Sequence, residues 1–200
     1  MPKKRVTSDS PERALIERGL AALGARDFAT AMRLFREGER RYPAWPSFIY
    51  NAACCLALQG KVDEALDDLE RALARGYSNY PNLETDPDLA SLRAHERYKL
   101  LHARYVPNSK YRYGKTLFRG VRIPRYLVND IEDAQRLTHY RIGGRRYRRV
   151  PFSDPDLDRC TDCGVFHGQL HQPGCDLEPC PKCGRQAIAC EHLEDELYGG

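Results

Sequence analysis

The sequence predicts a mainly α fold of helical hairpins, followed by a small basic α+β segment and a loop-rich, metal-stabilised C-terminal module. Three observations predict it. Helical periodicity repeats at an interval of 34 residues, the charge shifts sharply twice along the chain, and six of the eight cysteines lie between Cys160 and Cys190. The 200-residue length suits one large domain or two small ones. The shifts in charge and composition divide it into a disordered start (1–10), a helical repeat (11–102), a basic aromatic-rich segment (103–150) and a C-terminal module with an acidic tail (151–200).

The helical part comes first. Phe28, Ala31, Met32, Phe35 and Gly38 form one apolar stripe at helical spacing, and Val62, Ala65, Leu66, Leu69, Ala72 and Leu73 form a second. Ala31, Phe35 and Gly38 recur as Ala65, Leu69 and Ala72. Small residues let neighbouring helices approach, and the large ones fill the space between. Pro43 ends the first helix pair because proline cannot continue a helix, and Gly60 serves the turn inside the second. Cys54 and Cys55 fall on a helix over 48–58, where buried cysteine acts as a small packing hydrophobe.

This pattern resembles the tetratricopeptide repeat family over roughly 12–79, as two repeats. Gly19, Ala31, Phe35, Gly38 and Pro43 stand at signature positions in the first repeat, and Ala53, Ala65, Leu69 and Ala72 in the second. The early Trp of the first repeat is missing, and Tyr77 replaces the closing Pro of the second. Residues 80–102 look like the degenerate capping end that closes such arrays. The resemblance implies a protein-interaction scaffold and no catalysis.

Charge separates the rest of the chain. Residues 1–102 carry 16 Lys/Arg against 15 Asp/Glu; residues 103–150 carry 13 against 3; residues 151–200 carry 3 against 10. The middle segment interleaves cations with aromatics, as in Lys110-Tyr111-Arg112-Tyr113 and Arg145-Arg146-Tyr147-Arg148-Arg149. A short helix is expected over 126–137. A hairpin is expected around Gly143-Gly144, which supplies the positive φ of a tight turn. On strand alternation Arg146 and Arg148 face one way and Tyr147 and Arg149 the other, with no dense apolar face. Cations can neutralise phosphates and tyrosines can stack on bases. The segment therefore suits nucleic acid, an acidic protein surface, or the chain's own acidic tail.

The C-terminal segment reads Cys160-x2-Cys163-x3-His167-x3-His171-x3-Cys175-x4-Cys180-x2-Cys183-x6-Cys190-x-His192. Cys-x2-Cys-Gly occurs twice. The short gap lets two sulfurs reach one tetrahedral ion, and the glycine permits the tight turn beneath them. Four pairs emerge: Cys160/Cys163, His171/Cys175, Cys180/Cys183 and Cys190/His192. His167 is left spare. These eight ligands suit two zinc ions. If 184–189 is extended, Cys190 lies far from its neighbouring knuckle, which favours interleaving the pairs, first with third and second with fourth. Cys190 and His192 would then share one face of a strand.

Disulfides are disfavoured by the expected cytoplasmic setting. Lys3, Lys4 and Arg5 are followed by the polar stretch 7–13 rather than the apolar core of a signal peptide, and no apolar run is long enough to cross a membrane. Iron–sulfur fits the histidines less well. Catalytic zinc would need an open position and a base, and Glu178 and Glu191 are weak candidates for one. The segment over roughly 140–192 also resembles Cys/His-rich tails of uncharacterised bacterial and phage proteins, carried by Cys160-Thr-Asp-Cys163-Gly164, His171, Gly174-Cys175, Cys180-Pro-Lys-Cys183-Gly184 and Cys190. Those relatives close with Cys-x-Cys where this chain has Cys190-x-His192. No assigned activity comes with that likeness.

The functional expectation is a non-catalytic cytoplasmic adaptor. Its helical repeat binds a protein partner and its zinc module supports a second interaction. The alternatives are a nucleic-acid-binding protein using 103–150 beside the zinc ribbon and, less favoured, a zinc-dependent enzyme. No phosphate loop, nucleophile elbow or paired catalytic carboxylates stand out.

Overall fold

The structure is a computed structural model that describes residues 10–193. Of the start expected to be disordered, 1–10, residues 1–9 lie outside the described residues, as does the acidic end 194–200, while Ser10 stands at the N-cap of the first helix. The chain forms two compact units, Met1–Tyr111 and Arg112–Gly200. It is mainly helical with two small antiparallel ladders. No helix of the described residues is long and apolar enough to cross a membrane.

The first unit is a run of helices: α1 (Pro11–Gly24), α2 (Phe28–Arg41), α3 (Ser47–Leu58), α4 (Val62–Ala74), α5 (Tyr80–Thr85), a 3-10 turn (Pro87–Leu92) and α6 (Glu96–Tyr105). Pro11 starts α1, where its missing N–H is not needed. Asp27 caps α2 by accepting from the Thr30 backbone N–H. Each of the first four helices packs mainly on its sequence neighbours. α3 is the central one, with nine of its twelve residues buried. Cys54 and Cys55 are two of them, packed as expected. The Cys54 thiol also sits 3.8 Å from Asp86 Oδ2, a carboxylate that accepts from Tyr50 at 2.7 Å. Leu83, Leu89, Leu92, Tyr98 and Leu101 finish the core at its far end.

The repeated small residues show their purpose at two helix crossings. Gly19 of α1 faces the Phe35 ring of α2, and Gly38 of α2 faces the Phe48 ring of α3. A methyl group at either glycine would collide with the opposing ring. Phe48 is fully buried and has nowhere to go. Alanine favours a helix over glycine by about 1 kcal/mol, but overpacking a filled core costs about 1–3 kcal/mol. Gly38→Ala is therefore expected to lower the melting temperature of the first unit. Gly38→Ala/Phe48→Leu should recover part of the loss, and a Gly38→Ala variant as stable as the parent would refute this packing account.

The expected boundary at 102/103 falls inside α6, and the compact units divide at Tyr111/Arg112 instead. The second unit opens with a hairpin, β1 (Lys115–Phe118) and β2 (Val121–Pro124). Its turn residues Arg119 and Gly120 both have positive φ, 47° and 82°. α7 follows (Arg125–Ala134), and β3 (His139–Ile142) pairs with β4 (Arg145–Arg148) across Gly143-Gly144. Those glycines carry φ of 56° and 77°, as a twisted two-residue turn requires. α7 is shorter than the expected 126–137. The Gln135 side chain leaves for the backbone of Leu170, donating to its carbonyl at 2.9 Å and accepting from its N–H at 2.8 Å.

One face of β3–β4 is apolar after all. Tyr140, Ile142 and Tyr147 pack with Cys180, Ala187, Cys190 and Leu193. The basic segment and the cysteine-rich segment thus share one compact unit, because each supplies half of a small core.

Candidate metal centres

Both knuckles are built from the same backbone parts, twenty residues apart. In the first, the Cys160 N–H donates to Val165 O at 2.8 Å and the Gly164 N–H donates back to Cys160 O at 3.0 Å. In the second, Cys180 donates to Arg185 O at 2.6 Å and Gly184 to Cys180 O at 2.8 Å. Gly164 and Gly184 have φ of 73° and 74°, a region that disfavours any side chain. Each knuckle is braced by one isolated bridge, Arg159 with Phe166 and Pro179 with Gln186.

The two halves recruit their remaining ligands differently. After the first knuckle, Pro173-Gly174 turns the chain, with Gly174 at φ 85° and the Cys175 N–H on Gln172 O at 3.0 Å. This brings His171 and Cys175 back to Cys160 and Cys163. After the second, Ala187 donates to Glu178 O at 2.7 Å and Cys190 to Ala187 O at 3.2 Å. The chain doubles back, so 184–189 is not extended and Cys190 arrives beside its own knuckle. His192 follows in a short 3-10 turn, Glu191–Leu193, rather than on a strand.

The result is two clusters, Cys160–Cys163–His171–Cys175 and Cys180–Cys183–Cys190–His192. The pairs combine in sequence order; the interleaved arrangement expected from an extended 184–189 is corrected by those two turns. Within the first cluster, Cys160 Sγ lies 3.7 Å from Cys175 Sγ, and His171 Nδ1 lies 3.5 Å from Cys163 Sγ and 3.2 Å from Cys175 Sγ. In the second, Cys183 Sγ is 3.5 Å from Cys190 Sγ, and His192 Nδ1 is 3.2 Å from Cys190 Sγ and 3.9 Å from Cys180 Sγ. A tetrahedral ion with metal–sulfur bonds of about 2.3 Å sets its sulfurs about 3.8 Å apart, and its sulfur and imidazole nitrogen about 3.5 Å apart. Both clusters could hold a metal ion on this geometry.

Electrostatics distinguish the two. The first cluster is wholly buried. Burial pushes the Cys163 and Cys175 thiols up and holds the His171 imidazole down, in its neutral, ligating form. The second is more open: the backbone N–H of Arg185 holds the exposed Cys183 thiol at about 6.

His167 is exposed and rests against the Phe152 ring, 5.1 Å between centroids, outside both clusters. His167→Ala is therefore expected to keep the full metal content, whereas His171→Ala should lose one ion per chain. Elemental mass spectrometry of the purified variants decides it, and loss on His167→Ala would contradict the ligand set.

Behind the clusters lies a polar network that the residue pattern did not announce. Arg149 and Glu178 are both fully buried and pair at 2.7 Å. The other Glu178 oxygen accepts from Tyr140 at 2.9 Å. The guanidinium also donates to the carbonyls of Leu137, Ala134 and His171, and it lies over the Tyr140 ring. Glu178 is thereby committed on both oxygens and is no free base, while Glu191 is exposed. The one sequence signal was strand alternation, which put Arg149 on the Tyr147 side, the side that proves to be buried.

Fold and site define a mainly helical protein with two Cys3His clusters suited to metal ions. No family model matches the chain, and no solved structure matches it. It is 43% identical over 44 residues to a chloroplastic protein of Arabidopsis thaliana. That stretch is 22% of this chain and spans only 13% of the plant protein.

Proposed function

We propose that the chain is a non-catalytic adaptor, in which tetratricopeptide-like hairpins bind a protein partner and two structural zinc ions hold a second interaction module. The closed donor sets carry this reading. Each cluster offers four protein ligands, the count of a structural site, whereas a catalytic zinc keeps a position for water or substrate. Three thiolates and one imidazole favour zinc over hard cations. The neighbouring buried carboxylate, Glu178, is already engaged by Arg149 and Tyr140.

The first unit contributes a groove of about 1070 Å3. Phe28, Ala29, Met32 and Leu56 supply its apolar lining, and Arg36, Asp68 and Arg71 stand among its charged residues. Those charges are tied to each other and to Glu39. The groove therefore offers apolar contact beside a paired cluster of charges, which suits a peptide segment rather than a small ion.

Site-specific photo-crosslinking tests the reading. A photoreactive residue at Met32, on the groove, is expected to trap one defined protein; the same residue at exposed Leu20 on α1 should not. Equal trapping at both positions, or none at either, would overturn the adaptor role. Native mass spectrometry should find two zinc ions per chain.

A further inference from the structure

The β3–β4 hairpin has a second face. Its register aligns His139 with Arg148 and Arg141 with Arg146. Alternation then puts these four on the side opposite Tyr140, Ile142 and Tyr147. All three arginines are exposed. The loop before β3 closes one end of this face, forming a cleft of about 340 Å3 lined by Arg136, Leu137, Thr138, His139, Arg141 and Arg146. No carboxylate of the described residues lines the cleft.

Several cations elsewhere in the molecule are neutralised by carboxylates. Arg36, Arg71 and Arg75 converge on Asp68 and Glu39, Arg97 on Asp67 and Glu70, and Arg149 on Glu178. Among the described residues, Arg141, Arg146 and Arg148 have no carboxylate partner. Arg136 alone has one, Asp133 at 3.2 Å, in an exposed pair that solvent screens. Arg146 instead lies 3.2 Å from His139 Nδ1, and Thr138 Oγ1 lies 2.9 Å from the same nitrogen. With Nδ1 accepting from Arg146, the other ring nitrogen is left to donate through its N–H. The cleft therefore presents guanidinium, imidazole and hydroxyl groups with no counter-charge of its own.

We infer that this cationic face of β3–β4 binds the phosphate backbone of a single-stranded nucleic acid. On β4, Arg146 and Arg148 stand at alternate positions about 6.8 Å apart, close to the spacing of successive phosphates. Arginine's planar fork grips phosphate oxygens two at a time. A second observation favours nucleic acid over an acidic peptide. Elsewhere in the same unit, the β1–β2 hairpin turns Lys115, Leu117 and Arg122 to one face, and Tyr113, two residues before β1, is 76% exposed with its ring edge-on to Tyr126. An exposed aromatic beside cations is a platform for unpaired bases, which an acidic peptide does not need.

The inference rests on the adaptor reading only through the zinc that holds the hairpin's buried face. The test uses full-length, zinc-loaded protein and fluorescence anisotropy with a single-stranded DNA of about 16 nucleotides, the upper site size for a small binding fold. Binding should weaken steeply with salt. Arg141→Ser/Arg146→Ser should reduce the slope of log affinity against log salt by about 1.4, two phosphate contacts' worth. Arg33→Ser/Arg40→Ser removes the same charge from exposed positions on α2 and should leave the slope nearly unchanged. Zinc content and circular dichroism confirm that each variant is folded. Equal loss in both double variants, displacement by polyglutamate at matched charge, preference for duplex, or no binding at low salt by zinc-loaded protein would each overturn the inference. None of these bears on the Met32 crosslink, so failure here leaves the adaptor reading standing.

Discussion

Stripping metal from the protein should unfold much of the second unit and leave the first intact. The physical reason is how little apolar surface the C-terminal segment buries: Phe152, Val165, Phe166, Ala187 and Leu193 stand almost alone beside the cysteines themselves. Structural zinc supplies roughly 10–16 kcal/mol to small domains of this kind, far more than those side chains contribute. The first unit has no share in that, since its core runs from Leu15 to Leu101 through packed helices. The only tryptophan, Trp45, packs against that core and so reports on the first unit alone. After treatment with a strong chelator, Trp45 emission and most of the helical circular dichroism should persist, while six cysteines become reactive to a thiol reagent. Cys54 and Cys55 should stay protected until the helices melt. A coincident loss of tryptophan signal and thiol protection would show that the two units do not fold independently.

The second large effect is expected from the buried pair beneath the metal centres. Arg149→Met leaves the Glu178 carboxylate without its cation, and removing one partner of a buried pair costs about 3–5 kcal/mol. It also strips a donor from the carbonyls of Leu137, Ala134 and His171. Because His171 belongs to the first cluster, metal affinity should fall by about ten- to a hundred-fold, the usual effect of losing support behind a ligand. Glu178→Gln should weaken the unit by a similar route, leaving the guanidinium buried and unpaired. Arg149→Met/Glu178→Leu should recover part of the loss, because no lone charge then remains, although Tyr140 and the three carbonyls still lack partners. Hydrogen exchange of second-unit amides measures stability, and competition with a chromophoric chelator measures affinity. Single variants with parental exchange and affinity would mean that the pair is incidental.

How much of this was legible in the residues depends on the kind of signal. The two helix stripes could be read because period and spacing are local: Gly19, Gly38 and the aromatics they face lie within neighbouring helices. The two Cys/His clusters could be read because Cys-x2-Cys-Gly encodes its own turn, and the Gly143-Gly144 hairpin because few turns tolerate two successive positive φ values. The β1–β2 hairpin escaped because its turn begins with Arg119, a residue that does not advertise φ of 47°. Ligand pairing escaped for a different reason. Nothing in Arg185-Gln-Ala-Ile-Ala189 marks a reversal, which is fixed by Ala187 reaching the Glu178 carbonyl. Arg149 looked like one more cation in a basic run; only a carboxylate 29 residues away turns it into a core residue.

The order in which the first four helices pack has a kinetic consequence. Because α1, α2, α3 and α4 mainly touch their sequence neighbours, few long loops must close before contacts form, and chains of low contact order fold in microseconds to milliseconds. The second unit is different: Tyr140 waits for Ala187, and Cys160 for Cys175. During synthesis, at roughly 5–20 residues per second, the helical array can be complete before the last ligand leaves the ribosome. If the two clusters are filled with zinc as proposed, the cell's zinc supply governs how quickly only the later half matures.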